Sequence, residues 1–340
     1  MRNIKTLYNK NFGHTEWVTC CRCLSDGRIV SGGMDNKVCL WDSFLKNTGN
    51  ANNLMSLEGE ILYDQSSPAR CVELLGHSST ISKVEVNAAN TLLLSSSYDR
   101  SLRLYKIPMF NISAKRKESA VLANAHKSAI THFNWNYNFV LSGDKKGILK
   151  IWDLQQAQST HTFATKKGAL TALRAVYMPT AFMNHGEEVE EAGGTPLIAA
   201  YGDEVGALTI ADVRTRNSQK VFSDIVHPGG SLTEIQFLFN NHYYDTNDQV
   251  YHAPDENTGN YSYIPQVVTC GADKKIKILE PRKNFQPLHT FEDHRDFIYS
   301  LNVLNHYNRR ENRFQNIIFS GDGEGNVLFS TPMRESACMD

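Results

Sequence analysis

The chain has 340 residues, a net charge of −1, 41% hydrophobic and 21% charged residues. That balance excludes a disordered chain and lacks the basic excess of a non-specific nucleic-acid binder, so no nucleic acid is expected. No run of about 18 apolar residues offers a membrane span, and the opening MRNIKTLYNK has no apolar signal-peptide core. Seven cysteines, three of them at Cys20, Cys21 and Cys23, read as small buried thiols in a reducing, intracellular and cytoplasmic setting.

One pattern recurs along the chain: a His, a Ser sixteen to eighteen residues later, an Asp four further on and a Trp six beyond that. In the first unit it is Gly13-His14, Ser31, Asp35 and Trp41-Asp42, set on the β-rich runs WVTCCRCL, RIVSGG and KVCLWD, with Ser25-Asp26-Gly27 as the hairpin turn. The second has Gly76-His77, Ser95 and Asp99, with Tyr105 in the Trp place. The third has His126, Ser142 and Trp152-Asp153, with Lys146 in the Asp place. In the fourth, Lys166, Tyr201, Val205 and Ala211 leave no polar position, and Asp212 keeps the end of the pattern. The fifth keeps His227, Thr269 and Asp273, with Leu279 for Trp; the sixth keeps His294 and Ser320, with Glu324 for Asp and Ser330 for Trp. A further apolar run precedes several of these histidines, as in VELLG, SQKVFSDIV and PLHTFED. Units therefore start near residues 14, 77, 126, 166, 227 and 294.

In these residues the chain resembles the WD-repeat (WD40) family over nearly its whole length. The resemblance implies an all-β fold, a β-propeller of six four-stranded blades in a single domain over residues 1–340. Asn3–Phe12 would pair with Asn326–Pro332 to close the ring; seven blades, or an open ring completed by a partner strand or blade, are the alternatives. It also implies buried hydrogen-bond sets in which Asp and Ser flank the His, with Trp beneath. These are His14, Ser31, Asp35 and Trp41; His77, Ser95 and Asp99; His126, Ser142 and Trp152; and His227, Thr269 and Asp273.

Insertions fall at 43–70, 108–119, 180–196, 240–265 and 306–313. In the family's geometry all five emerge on the face opposite the Gly-His side, where they are either a partner surface or tolerated growth. One carries the acidic run HGEEVEEA, another is dense in Tyr. On the Gly-His side two positions per blade point outward. They are Thr19, Ser82, Thr131, Thr171, Thr233 and Tyr299, and Met34, Tyr98, Lys145, Glu204, Ala272 and Gly323. Met34, Tyr98 and Tyr299 offer an aromatic and thioether platform, and Trp17 is either an anchor or a loop filler.

No catalytic residue, metal site or cofactor is expected. Cys20 to Cys23 contains one C-x-x-C without the second pair that zinc needs. SGDKKG and SGDGEG are strand–turn–strand segments without the Gly-Lys-Ser/Thr ending of a phosphate loop. The reading is a non-enzymatic scaffold that binds other proteins or peptides within a multiprotein complex. The alternative is a substrate receptor of a cullin-RING ubiquitin ligase, resting on Arg214 and Arg282 at unit ends that lack the Trp of such docking motifs.

Overall fold

The computed structural model describes residues 11–41, 71–87, 89–107, 114–136, 139–154, 156–165, 168–177, 197–213, 219–238, 242–244, 250–252, 265–308 and 313–331. Among these there are strands, turns and one 3-10 turn at Pro281–Lys283, and no α-helix. The expected closing strand before His14 and the insertions at 43–70 and 180–196 lie outside the described residues. Two compact units divide the chain, Met1–Lys145 with Trp152–Gln158, and Lys146–Ile151 with Ser159–Asp340. The dividing line falls within the third sheet.

The first unit begins with an antiparallel meander, β1 (Val18–Cys23), β2 (Ile29–Gly33), β3 (Val38–Trp41) and β4 (Cys71–Leu75). Gly27 takes a φ of 84° in the β1–β2 turn, where Asp26 accepts the N–H of Arg28 at 3.0 Å. The second sheet is β5 (Ile81–Val86), β6 (Leu92–Ser97), β7 (Leu102–Lys106) and β9 (Ala120–Leu122). Val30, Val38 and Leu40 of the first sheet pack on Ile81, Val84, Leu93 and Tyr105 of the second. The second sheet's other face, with Leu94 and Leu102, packs on Ile130, Phe133, Val140 and Trp152. Each such fully buried aliphatic or aromatic side chain contributes about 1.5–3 kcal/mol.

The stretch 108–119, expected as a loop, contains a strand, β8 (Ala114–Lys117). It adds to the first sheet as a fifth strand, parallel to β4 through Val72↔Ala114 to Leu75↔Lys117. Lys115 reaches within 3.7 Å of the buried Glu73 carboxylate, which also binds Lys37 at 2.9 Å and accepts the N–H of Gly13 at 3.1 Å. The free backbone edge of β4 and the buried negative charge of Glu73 both draw the basic segment in.

The third sheet is β10 (Ile130–Asn136), β11 (Phe139–Asp144), β12 (Ile148–Asp153) and β13 (Gln158–Ala164). In the second unit follow the fourth sheet, β14 (Leu170–Tyr177), β15 (Leu197–Asp203), β16 (Ala207–Asp212) and β17 (Gln219–Ile225), and the fifth, β18 (Leu232–Leu238), β21 (Gln266–Gly271), β22 (Ile276–Glu280) and β23 (Gln286–Phe291). They share a core of Ile198, Ala200, Leu208, Ile210, Leu232, Ile235 and Phe237. The insertion at 240–265 holds a small two-stranded ribbon, β19 (His242–Tyr244) and β20 (Val250–His252).

The sixth sheet has three strands among the described residues: β24 (Ile298–Asn308), β25 (Arg313–Asp322) and β26 (Val327–Ser330). Within the expected insertion at 306–313, residues 306–308 and 313 are strand, paired as far as Asn308↔Arg313. The run NVLNHY gives no turn signal before Asn308, so the strand simply continues.

Candidate functional site

In each unit with a repeat histidine, the ring is held at both nitrogens. Nδ1 of His14 lies 2.9 Å from Asp35 and Nε2 lies 2.8 Å from the Ser31 hydroxyl. His77 stands 2.8 Å from Asp99 and 2.7 Å from Ser95; His227 stands 2.8 Å from Asp273 and 2.9 Å from Thr269. Trp41 and Trp152 each donate Nε1–H to the Ser of their own unit at 2.8 Å. The carboxylate fixes the tautomer: Nδ1–H donates to Asp, so Nε2 accepts from the hydroxyl. Tyr105, in the Trp place of the second unit, donates instead to the Leu75 carbonyl at 3.4 Å.

The third and sixth units correct the expectation about the Asp place. Nδ1 of His126 meets Asp144 at 3.1 Å, and Nδ1 of His294 meets Asp322 at 3.0 Å, not Lys146 or Glu324. In both the carboxylate stands two residues after the Ser instead of four. The fourth unit follows the same plan: Asp203, two after Tyr201, is 4% exposed and accepts the N–H groups of Val205 and Ala207 at 3.0 and 2.9 Å. Its polar set is therefore reduced, not lost, while Lys166 lies outside the described residues.

The geometry explains both plans. The residue two after the Ser points at the histidine: a Cβ on Gly33 would lie 2.6 Å from Nδ1 of His14 and 2.7 Å from Asp35 Oδ1. A Cβ on Gly271 would lie 2.9 Å from Cγ of His227. A carboxylate can reach the ring from there directly, or come from the turn where that place holds a glycine, as at Gly33 and Gly271, or the small Ser97, whose hydroxyl bonds the Ser79 carbonyl at 2.9 Å. The turn differs accordingly. The residue five after the Ser has positive φ in all six units: Asn36, Arg100, Gly147, Gly206, Lys274 and Gly325. It is glycine wherever the Asp comes early. Where the Asp comes late, its Oδ1 accepts the N–H two residues on (Lys37, Ser101 or Lys275, at 2.9–3.2 Å), which holds the turn around a non-glycine residue. That bond offsets the roughly 1–2 kcal/mol a side chain costs in the left-handed region.

The hydroxyls expected to line the Gly-His side are occupied. Thr19 donates to the Ile81 carbonyl and Thr171 to the Leu232 carbonyl, each at 2.6 Å, and Thr233 donates to the Ile298 carbonyl. Each joins the first strand of one sheet to the first strand of the next. Ser82 is bonded to Ser96 at 2.7 Å. Apolar side chains remain outward in the first two units: Trp17 is 77% exposed, Met34 45% and Tyr98 40%. The N–H of Met34 donates to the Trp17 carbonyl at 2.9 Å, and Lys145 Nζ lies 4.7 Å over the Tyr98 ring. In the sixth unit Tyr299 and Phe297 are exposed beside Gly323, whose N–H donates to the Phe297 carbonyl at 3.0 Å.

Two sheet faces depart from the burial seen elsewhere. On the sixth sheet, Val327 is 71% and Phe329 74% exposed. By register they share a face with Phe319, Ile317 and the exposed Leu304. The opposite face, with Leu301 and Ile318, is packed on the fifth sheet. On the first sheet, Cys21 and Cys23 of β1 are exposed, whereas Val84, at the place of Cys21 in β5, is buried. The expectation that these thiols are buried is corrected for Cys21 and Cys23: no described residue covers that part of β1. Cys39, Cys71 and Cys270 are buried, and burial pushes Cys270 up to about 12 against the lowering effect of its hydrogen bond with Thr233.

Among the described residues no group of three or more His, Cys, Asp or Glu is placed to hold a metal ion. Among the same residues no helix is long and apolar enough to cross a membrane. Arg282 is exposed on the Pro281–Lys283 turn, with its N–H capped by Glu280 at 3.3 Å. Arg214 lies outside the described residues.

Repeated short sheets, five of the six with a His–Ser/Thr–Asp set, define a repeat protein of the propeller class. The model of the family "WD domain, G-beta repeat" matches residues 3–42, 69–106 and 117–153. The WD40 β-propeller domain of Doa1, known from a crystal structure, superposes with a TM-score of 0.56 over 96% of both chains at 12% identity. The chain carries WD40 repeats in these three regions and has the β-propeller fold. A stretch of 116 residues is 29% identical to "Ribosome biogenesis protein YTM1" of Chaetomium globosum, spanning 34% of this chain and 20% of that protein's length.

Proposed function

We propose that this chain is a non-enzymatic scaffold, one six-unit domain acting inside the cell, in the cytoplasm, that binds other proteins or peptides as a subunit of a multiprotein complex. The observation that carries the reading is the uncovered apolar face of β24–β26. The corresponding residues of the first sheet, Val38 and Leu40, and of the fifth, Ile276 and Ile278, are fully buried beneath the next sheet. The complement to such a face is therefore another β-sheet, and here a partner's sheet or strand supplies it. Covering Val327 and Phe329 stabilises such a complex by about 1.5–3 kcal/mol for each side chain.

The test is affinity purification of the full chain beside Val327→Asp with Phe329→Asp. Loss of a defined partner set, with the melting temperature unchanged, supports the reading. Retention of the whole set by the variant sinks it. A second reading places a peptide across Trp17, Met34 and Tyr98, on the strength of their joint exposure; Trp17→Ala with Tyr98→Ala would then lose the partners that the β26 variant keeps. The name of the Chaetomium relative makes ribosome-assembly particles one fraction worth including in the purification.

A further inference from the structure

The first strands of the first three sheets, β1, β5 and β10, lie side by side, and they bury a charged cluster that the histidine sets do not use. Glu85 on β5 is 6% exposed. Its carboxylate accepts the backbone N–H of Trp135 at 2.5 Å and the Asn134 amide at 3.2 Å. Around it stand two cations, with Arg22 Nη2 at 3.5 Å and Lys83 Nζ at 3.8 Å. The Lys83 side chain is 10% exposed and its ammonium has no hydrogen-bond partner among the described residues. Nδ1 of the neighbouring His132 is also buried without one among these residues. Burial first, and the Lys83 charge second, push His132 down to about 3, so its ring is neutral at pH 7.

Two cations thus share one carboxylate that is already engaged, and one positive charge is left over. An ammonium buried without hydrogen bonds is a costly arrangement, and an anion accepting from it relieves the cost. The ligand must also tolerate Glu85. A protonated phosphate does: its oxygens accept from Lys83 and Arg22 while its P–OH donates to the carboxylate. Sulfate at neutral pH has no proton to donate.

We propose that Lys83, Arg22, His132 and Glu85 form a binding site for a small protonated oxyanion of the phosphate class. The test is thermal unfolding of the full chain in sodium phosphate and in sodium sulfate at equal ionic strength, backed by equilibrium dialysis of phosphate against the wild type. A saturable rise in melting temperature with phosphate, smaller with sulfate, is expected, because a ligand bound only to the folded state stabilises it by mass action. Lys83→Met should abolish the rise while keeping the fold; Lys83→Arg should retain part of it. An equal response to both anions overturns the phosphate assignment. A phosphate response undiminished in Lys83→Met, or no phosphate retained in dialysis of the wild type, overturns the site. If Lys83→Met does not fold, Glu85→Gln serves in its place, and preference for phosphate over sulfate unchanged in that variant is likewise contrary.

Discussion

Removing the Asp144 carboxylate is the most direct test of the early-Asp plan. In Asp144→Ala, Nδ1–H of His126 loses its acceptor inside a pair whose side chains are 0% and 1% exposed. A hydrogen bond to a charged group, lost on one side only, costs about 2–3 kcal/mol. Unfolding entropy near 2.1 cal/mol/K per residue gives roughly 0.7 kcal/mol/K for a chain of this length, so the melting temperature should fall by about 3–4 °C. Lys146 is exposed, and Lys146→Ala should cost about 1 kcal/mol or less. The double change Asp144→Gly with Lys146→Asp rebuilds the Gly33 and Asp35 arrangement of the first unit and should recover most of the loss. Calorimetry reads the melting temperature, and Trp152 fluorescence reports the site itself, since its indole bonds Ser142 at 2.8 Å. If Lys146→Ala lowers the melting temperature as much as Asp144→Ala, the reasoning fails.

Other outcomes follow from the same geometry. Gly33→Ala should destabilise the first unit by about 1–3 kcal/mol through overpacking, because its Cβ would sit 2.6 Å from His14; a neutral effect in urea titration would show that the ring can move aside. Burial holds His77 and His132 below their ordinary value of 6.5. Their folded values are depressed, so stability is intact above pH 6.5 and falls as the pH drops below it, where the unfolded chain binds protons that the fold excludes. In Asp99 and Asp273, burial alone would raise the carboxyl, but hydrogen bonds, from His77 and Ser101 and from His227, outweigh it and hold both low. Their stabilisation is present above about pH 4 and is lost as the pH falls through the folded values. Melting temperatures recorded from pH 8 to pH 3 should therefore decline in two stages, and a level profile below pH 6.5 would contradict the histidine part. Among the described cysteines, Cys21 and Cys23 should react first with a thiol reagent, and Cys39, Cys71 and Cys270 only on unfolding; rapid native modification of Cys39, located by peptide mapping, would contradict the packing.

Much of this was legible in the sequence because strands and turns are local. The period of the repeat, the all-β class and the six units follow from hydrophobic runs and turn residues that act within a few positions. The carboxylate of the third and sixth units was misplaced because a fixed spacing was imposed on it. The signal was present: Ser142-Gly-Asp and Ser320-Gly-Asp both end in a glycine three residues after the Asp, and Tyr201-Gly-Asp repeats the form. Three things depend on distant partners and leave no local trace. The strand Ala114–Lys117 finds the edge of a sheet formed some forty residues earlier. The exposure of Cys21 and Cys23 reflects what does not pack on β1. The hydroxyls of Thr19 and Thr171 look like surface groups until the carbonyl of the next sheet's first strand is in place.

The fifth strand of the first sheet changes what counts as a separable part of this protein. A repeat array is ordinarily modular, each unit touching only its neighbours through side chains. Here the backbone of the second unit is woven into the first, so neither can be excised, duplicated or exchanged alone. During synthesis the first sheet waits for residue 117 to emerge before its edge is sealed. Any breakpoint for splitting or permuting the chain belongs after Leu122, not at the boundary between the first two repeats.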